Sequence, residues 1–161
     1  MDSEYSIDKK NYPCEGLTFI GLTSMLDPPK KGVVEAVAKC RSAGIRVVMV
    51  TGDHPFTAEA IAKKVGIITL PTPLDIAKSK GIDVSKVDID DCDVAVMHGS
   101  QLDDLTDEDW NKIIKKKEIV FARTSPQQKL EIVTKFQEDH QIVAVTGNVT
   151  NMFFLFLHLI R

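Results

Sequence analysis

The chain has 161 residues, 43% of them hydrophobic and 27% charged, with a formal net charge of −3 from 20 basic and 23 acidic side chains. That length suits one domain with a substantial core and is too short for a two-domain enzyme plus a membrane region. The composition excludes the disordered and fibrous classes, and the charge balance excludes a broad basic surface for nucleic acid or anionic lipid. The polar, acidic start Met1 to Pro13 is not a secretory signal. The most apolar window, Met152 to Ile160, is about half the length that a membrane-crossing helix needs.

In chain order, Leu17 to Leu22 is a short β-branched and aromatic run that predicts a strand, broken by Asp27-Pro28-Pro29. Val33, Val37 and Cys40, with Val34 and Ala38 beside them, recur at helical spacing until Gly44 supplies a stop. Ile45 to Val50 predicts a strand buried on both faces, ending at Thr51-Gly52-Asp53. His54-Pro55 opens a helix whose buried stripe is Ala58, Ile61, Ala62 and Val65, stopped by Gly66.

Leu70 to Asp93, with Pro71, Pro73 and Gly81, reads as a loop-rich excursion containing a short helix. Val94 to Met97 predicts a strand, Asp107 to Lys115 a helix around Trp110, and Ile119 to Ala122 another strand. Ser125-Pro126-Gln127-Gln128 combines an N-cap serine, a first-turn proline and a glutamine placed to close a capping box. The helix continues through Leu130, Val133 and Phe136, and Ile142 to Val145 predicts a last buried strand ending at Thr146-Gly147. Repeated βα units with apolar strands predict an α/β fold built on a doubly wound parallel sheet.

Ligands of such sheets sit at the carboxyl ends of the strands, which places Thr51-Gly52-Asp53, Arg123-Thr124-Ser125 and Thr146-Gly147-Asn148 at the candidate site. A hydroxyl and glycine N–H groups ahead of a helix N-terminus suit a phosphate or carboxylate, because orphan donors and the helix dipole both favour negative charge. Alone, T-G-D is weak, since a strand-end threonine or aspartate is commonly a helix cap. Cys14, Cys40 and Cys92 are odd in number, lack C-x-x-C spacing and read as free thiols. The histidines His54, His98, His140 and His158 form no ligand spacing, so no metal site is predicted. Lys115-Lys116-Lys117 reads as a solvated helix end.

Asp27-Pro28-Pro29-Lys30, Thr51-Gly52-Asp53-His54-Pro55 with Thr57-Ala58, and Phe121 to Leu130 (F-A-R-T-S-P-Q-Q-K-L) occur in this order on this architecture. Together they resemble the cytoplasmic phosphorylation domain of P-type ATPases, a branch of the haloacid dehalogenase-like superfamily. Cys40 to Ile45, His98-Gly99-Ser100 and the A-R-T-S-P-Q-Q-K-L string resemble in particular the sodium/potassium and proton/potassium pump α-subunits. The resemblance divides the chain into a polar segment 1–13, a partial phosphorylation domain 14–147 with an incomplete haloacid dehalogenase-like, Rossmann-like fold, and a divergent apolar tail 148–161.

It also implies roles. Thr51 would hydrogen-bond a transferred phosphoryl group, and Lys129 would neutralise its oxygens. Gly52, Asp53 and Arg123 would lie at the phosphate or nucleotide, and Asp27, Pro28 and Pro29 on the hinge toward a nucleotide domain. ATP and magnesium are the implied cofactors, and sodium and potassium ions the cargo of the parent pump. A β-subunit would be a partner of the parent only, with no nucleic-acid partner. The parent would sit in the plasma membrane with this segment on its cytoplasmic face; the piece alone would be cytoplasmic.

Two family elements are not found in these 161 residues. The D-K-T-G-T string whose aspartate is phosphorylated does not occur, and Asp53 belongs to a different motif. Where the family continues T-G-D-G-x-N-D, the chain reads Thr146-Gly147-Asn148-Val149-Thr150-Asn151-Met152, with an amide and a thioether where magnesium-organising carboxylates belong. The expectation is therefore a fragment of a cation-pump catalytic subunit that is inactive alone. The alternatives are a short, non-catalytic binding or interfering module and a small phosphatase; Asp27 beside two prolines is a poor substitute for the aspartate pair a phosphatase needs.

Overall fold

A computed structural model describes residues 15–23, 28–148 and 151–159. The chain order is α1 (Val33–Ser42), β1 (Ile45–Val50), α2 (Pro55–Val65), α3 (Pro73–Lys80), β2 (Val94–His98), α4 (Gly99–Leu102), α5 (Asp107–Ile114), β3 (Glu118–Ala122), α6 (Pro126–Glu138), β4 (Ile142–Asn148) and β5 (Asn151–Leu159). Two 3-10 turns, Val84–Lys86 and Ile89–Asp91, fill the excursion after α3.

The helix boundaries follow local chemistry. His54 caps α2, its ring nitrogen accepting from the Phe56 amide, with proline in the first turn and left-handed Gly66 at the end. Thr72, Thr106 and Ser125 each close a capping box, on Asp75, Asp109 and Gln128. The inward face of α6 is Lys129, Ile132 and Phe136, while Leu130 points outward. The buried stripe thus begins on a lysine, one residue before Leu130.

The sheet order is β2-β3-β1-β5-β4. β2, β3 and β1 pair in parallel, with Val50 opposite Phe121 and Met97 opposite the same residue on its other side. Alternate residues of β1 feed two cores, as expected of a strand covered on both faces. Val48 and Val50 pack with Trp110, Ile113, Ile132 and Phe136 on the α5 and α6 side. Val47 and Met49 pack with Val37, Ala58, Ala62 and Val65 on the α1 and α2 side. The Trp110 ring meets Phe121 at 6.0 Å between centroids, so Trp110 is a core residue.

Three expectations change. The Leu17 to Leu22 run is not a strand; it has no regular structure and its large apolar side chains are exposed. β4 is not buried, because it lies at the sheet edge with Ile142 and Val145 exposed. The segment read as a divergent tail enters the sheet: β5 lies between β1 and β4, antiparallel to both, with Val50 opposite Phe154 and Ile142 opposite Leu159. The physical reason is the outer edge of β1, a row of N–H and C=O groups that a nine-residue run free of glycine and proline can hydrogen-bond.

Candidate functional site

Thr51 is the first residue beyond β1 and is 1% exposed. Its amide donates to the Phe121 carbonyl at 2.8 Å, extending the β1–β3 ladder by one bond. Its hydroxyl oxygen accepts from the Asp53 amide at 3.1 Å, which turns the chain away from the sheet. The Thr51 carbonyl is held twice, by the Thr124 amide and the Thr124 hydroxyl, both at 3.1 Å.

The second wall comes from the end of β3. Arg123 adopts φ of 55°, the left-handed region that is costly for a residue with a Cβ, and its amide donates to the Asp53 carbonyl at 3.0 Å. That twist swings the chain into Thr124 and the Ser125 cap of α6. The Ser125 carbonyl accepts from the Lys129 amide at 3.1 Å, closing the first turn. Lys129 is 7% exposed, and burial lowers its pKa. An ammonium withdrawn from water interacts strongly with an anion that reaches it.

Backbone bonds thus tie Thr51, Asp53 and Arg123 together across the carboxyl ends of β1 and β3, and Lys129 lies in the first turn of α6, which starts just beyond β3. A Cβ at Gly52 would meet no protein atom, so nothing inside the chain demands glycine there. Thr146 and Gly147 lie within β4, at the same end of the sheet but one strand removed from β1. Pro28 and Pro29 lead into α1, exposed and half-buried respectively, and Asp27 lies outside the described residues.

Three residues make supporting contacts in this wall that the sequence reading did not foresee. Thr124 ties β3 to Thr51. Gln128 donates from Nε2 to the Gly99 carbonyl at 2.8 Å and to Asp103 at 2.9 Å, so α4 braces the start of α6. Gly99 is required because a Cβ there would collide with the Arg123 carbonyl. The signal available was the capping-box glutamine, whose amide nitrogen is left over once its oxygen has bonded the cap.

Among the described residues no group of three or more histidine, cysteine, aspartate or glutamate side chains could hold a metal. Cys40 and Cys92 are free thiols; Cys92 is buried, which raises its pKa, and Cys14 lies outside the described residues. No helix among the described residues is long and apolar enough to cross a membrane.

A sequence model described as haloacid dehalogenase-like hydrolase matches residues 8–151. The chain belongs to that family. Within it, the chain is 54% identical over 151 residues to the sodium/potassium-transporting ATPase subunit alpha-2 of Bos taurus, covering 92% of this chain and 15% of that protein. It is 53% identical over 150 residues to the alpha-1 subunit of Oreochromis mossambicus and 55% identical over 150 residues to the alpha-B subunit of Artemia franciscana, each time covering 91% of this chain and 15% of the relative. This haloacid dehalogenase-like chain is therefore a partial domain of P-type ATPase kind and spans about one-seventh of those relatives.

Proposed function

We propose that the chain is the phosphoryl-binding part of the phosphorylation domain of a sodium/potassium-type cation pump, and that by itself it forms no phosphoenzyme. Buried Thr51, just beyond β1, and buried Lys129, in the first turn of α6, carry this reading. A withdrawn ammonium, a hydroxyl and two positive dipole ends suit the equatorial oxygens of a phosphoryl group. Thr51 would donate its hydroxyl proton to one oxygen. Lys129 would offset the charge that accumulates as a bond to phosphorus forms or breaks. Gly52, Asp53 and Arg123 would border the phosphate or nucleotide, and Asp27, Pro28 and Pro29 would form the hinge side.

The family implies ATP and magnesium, with ATP as phosphoryl donor. The residues fit the anion better than the metal. Asn148 and Met152 stand where carboxylates would organise magnesium, and a hard dication takes charged oxygen ligands in preference to an amide or a thioether. No step is therefore routed through the metal in this chain. Transport of sodium and potassium, membrane attachment and any β-subunit belong to the longer protein.

A second reading, a non-catalytic module that binds or interferes with a pump, is favoured by the exposed apolar run Leu17 to Leu22. Incubating the purified chain with magnesium and radiolabelled ATP separates activity from binding. The expected result is no acid-stable phosphate on the chain; stoichiometric acyl-phosphate would overturn the proposal.

A further inference from the structure

The opposite end of β1, six strand residues or roughly 20 Å from Thr51, holds a cleft of about 510 Å³. Arg41, Arg46, Lys115, Lys116, Lys117 and Gln141 line it, with no acidic side chain in its wall among the described residues. Of the anions nearby, Glu118 and Asp93 are paired with cations, while Asp139 keeps its charge and acts on Arg46. Glu118 accepts from Arg41 at 2.8 Å and from the Thr69 and Leu70 amides. Asp93 pairs with Lys117 at 2.7 Å, and Asp139 accepts from the Gln141 amide at 2.6 Å.

Arg46 is the fixed point of the cleft. Its guanidinium donates to the Ile114 and Lys116 carbonyls at 2.6 and 2.8 Å and to Gln141 Oε1 at 2.8 Å, and it stacks over the Phe136 ring. These acceptors are neutral, and the Asp139 carboxylate is the nearby anion that acts on the group's charge. Nη2 makes one of its two bonds among the described residues, and the enclosed Nε–H has no partner there. The guanidinium also satisfies carbonyls at the end of α5, whose dipole favours the lysines beside it.

We propose that this cleft binds a phosphate-bearing anion, either a soluble polyphosphorylated small molecule or a phosphorylated lipid headgroup, at a site separate from Thr51 and Lys129. A preset guanidinium beside exposed lysines matches phosphate oxygens, with Arg46 giving direction, Lys115 giving charge and Lys117 able to exchange its Asp93 partner for a phosphate oxygen. The chain's overall charge of −3 does not oppose this, since screening confines the interaction to the cleft.

The test is titration of the purified 161-residue chain with inositol trisphosphate, and separately with phosphatidylcholine vesicles carrying either phosphatidylinositol bisphosphate or charge-matched phosphatidylserine. Saturable binding at 0.15 M salt is expected, weakened about tenfold by the double variant Lys115→Gln/Lys117→Gln. The charge reversal Lys115→Glu, at an exposed residue that leaves the core intact, should weaken binding further. Binding to inositol trisphosphate alone identifies a soluble ligand; binding to bisphosphate vesicles beyond phosphatidylserine identifies a headgroup. No saturable binding, equal binding by the double variant, or equal affinity for polyglutamate would each overturn the proposal.

Discussion

Ile45–Val50 and Leu17–Leu22 are runs of similar apolar character with opposite fates. Val48 and Val50 are 0% exposed, whereas Leu17, Phe19, Ile20 and Leu22 are 74%, 79%, 98% and 90% exposed. β1 has β3 on one edge, β5 on the other and helices over both faces. The earlier run has no ladder partner among the described residues and is interrupted by Gly21 at φ 152°. Apolar composition states which residues gain from burial; burial itself requires a surface that only the rest of the fold supplies.

The largest effect expected from this comparison is at Phe121, fully buried against Trp110. Phe121→Ala should lower unfolding free energy by about 3–5 kcal/mol, whereas Ile20→Ala in the same denaturant titration should change it by less than about 0.5 kcal/mol. A large loss from Ile20→Ala would break the comparison, because it would mean the early run is packed in solution.

Glu118 sharpens the contrast from the polar side. Its carboxylate, 2% exposed, accepts from the Thr69 hydroxyl and amide, the Leu70 amide and Arg41. Burial pushes its pKa up, but the Thr69 hydroxyl, the two amides and Arg41 together lower it. Glu118→Gln places an NH₂ against donors and should cost about 3 kcal/mol by chemical denaturation. Gly99→Ala follows, at about 1–3 kcal/mol, because the new methyl must displace the Arg123 carbonyl.

The smallest effect is at Asp75, whose pKa is lowered to about 2 by Lys63 and then by the Thr72 amide. A folded-state pKa below the unfolded value of 3.8 gives stability that is complete above the unfolded pKa and is lost as pH falls through about 2. The carboxylate is partly exposed, so screening holds this contribution to less than about 1 kcal/mol. Asp75→Asn should lower stability at pH 7 by less than about 1 kcal/mol and flatten the acid limb between about pH 5 and 2, so that the two stability–pH curves meet near pH 2.

Much of this architecture could be read from local signals. The T-G-D turn after a continuous apolar run, the proline and glycine brackets of α2, and the Ser125 cap with Gln128 each state a boundary in a few adjacent residues. Thr51 and Lys129 were legible through the ordered motifs. Long-range placement was not: the insertion of β5 beside β1, the exposure of β4 and the solvation of Leu17 to Leu22 depend on which strand occupies which edge. Gly99 was quoted without its reason, because the Arg123 carbonyl it accommodates lies 24 residues away.

The most direct test of the central claim is an amide-resolved NMR titration of the chain with inorganic phosphate. Saturating shifts are predicted at Gly52 and across Arg123 to Lys129. They should be abolished by Lys129→Gln, with the amide pattern of the strand cores checked for a retained fold, and preserved in Lys115→Gln/Lys117→Gln. An absence of shifts at Gly52 and Lys129, or shifts there that persist unchanged in Lys129→Gln, would contradict the assignment of Thr51 and Lys129 as a phosphoryl site.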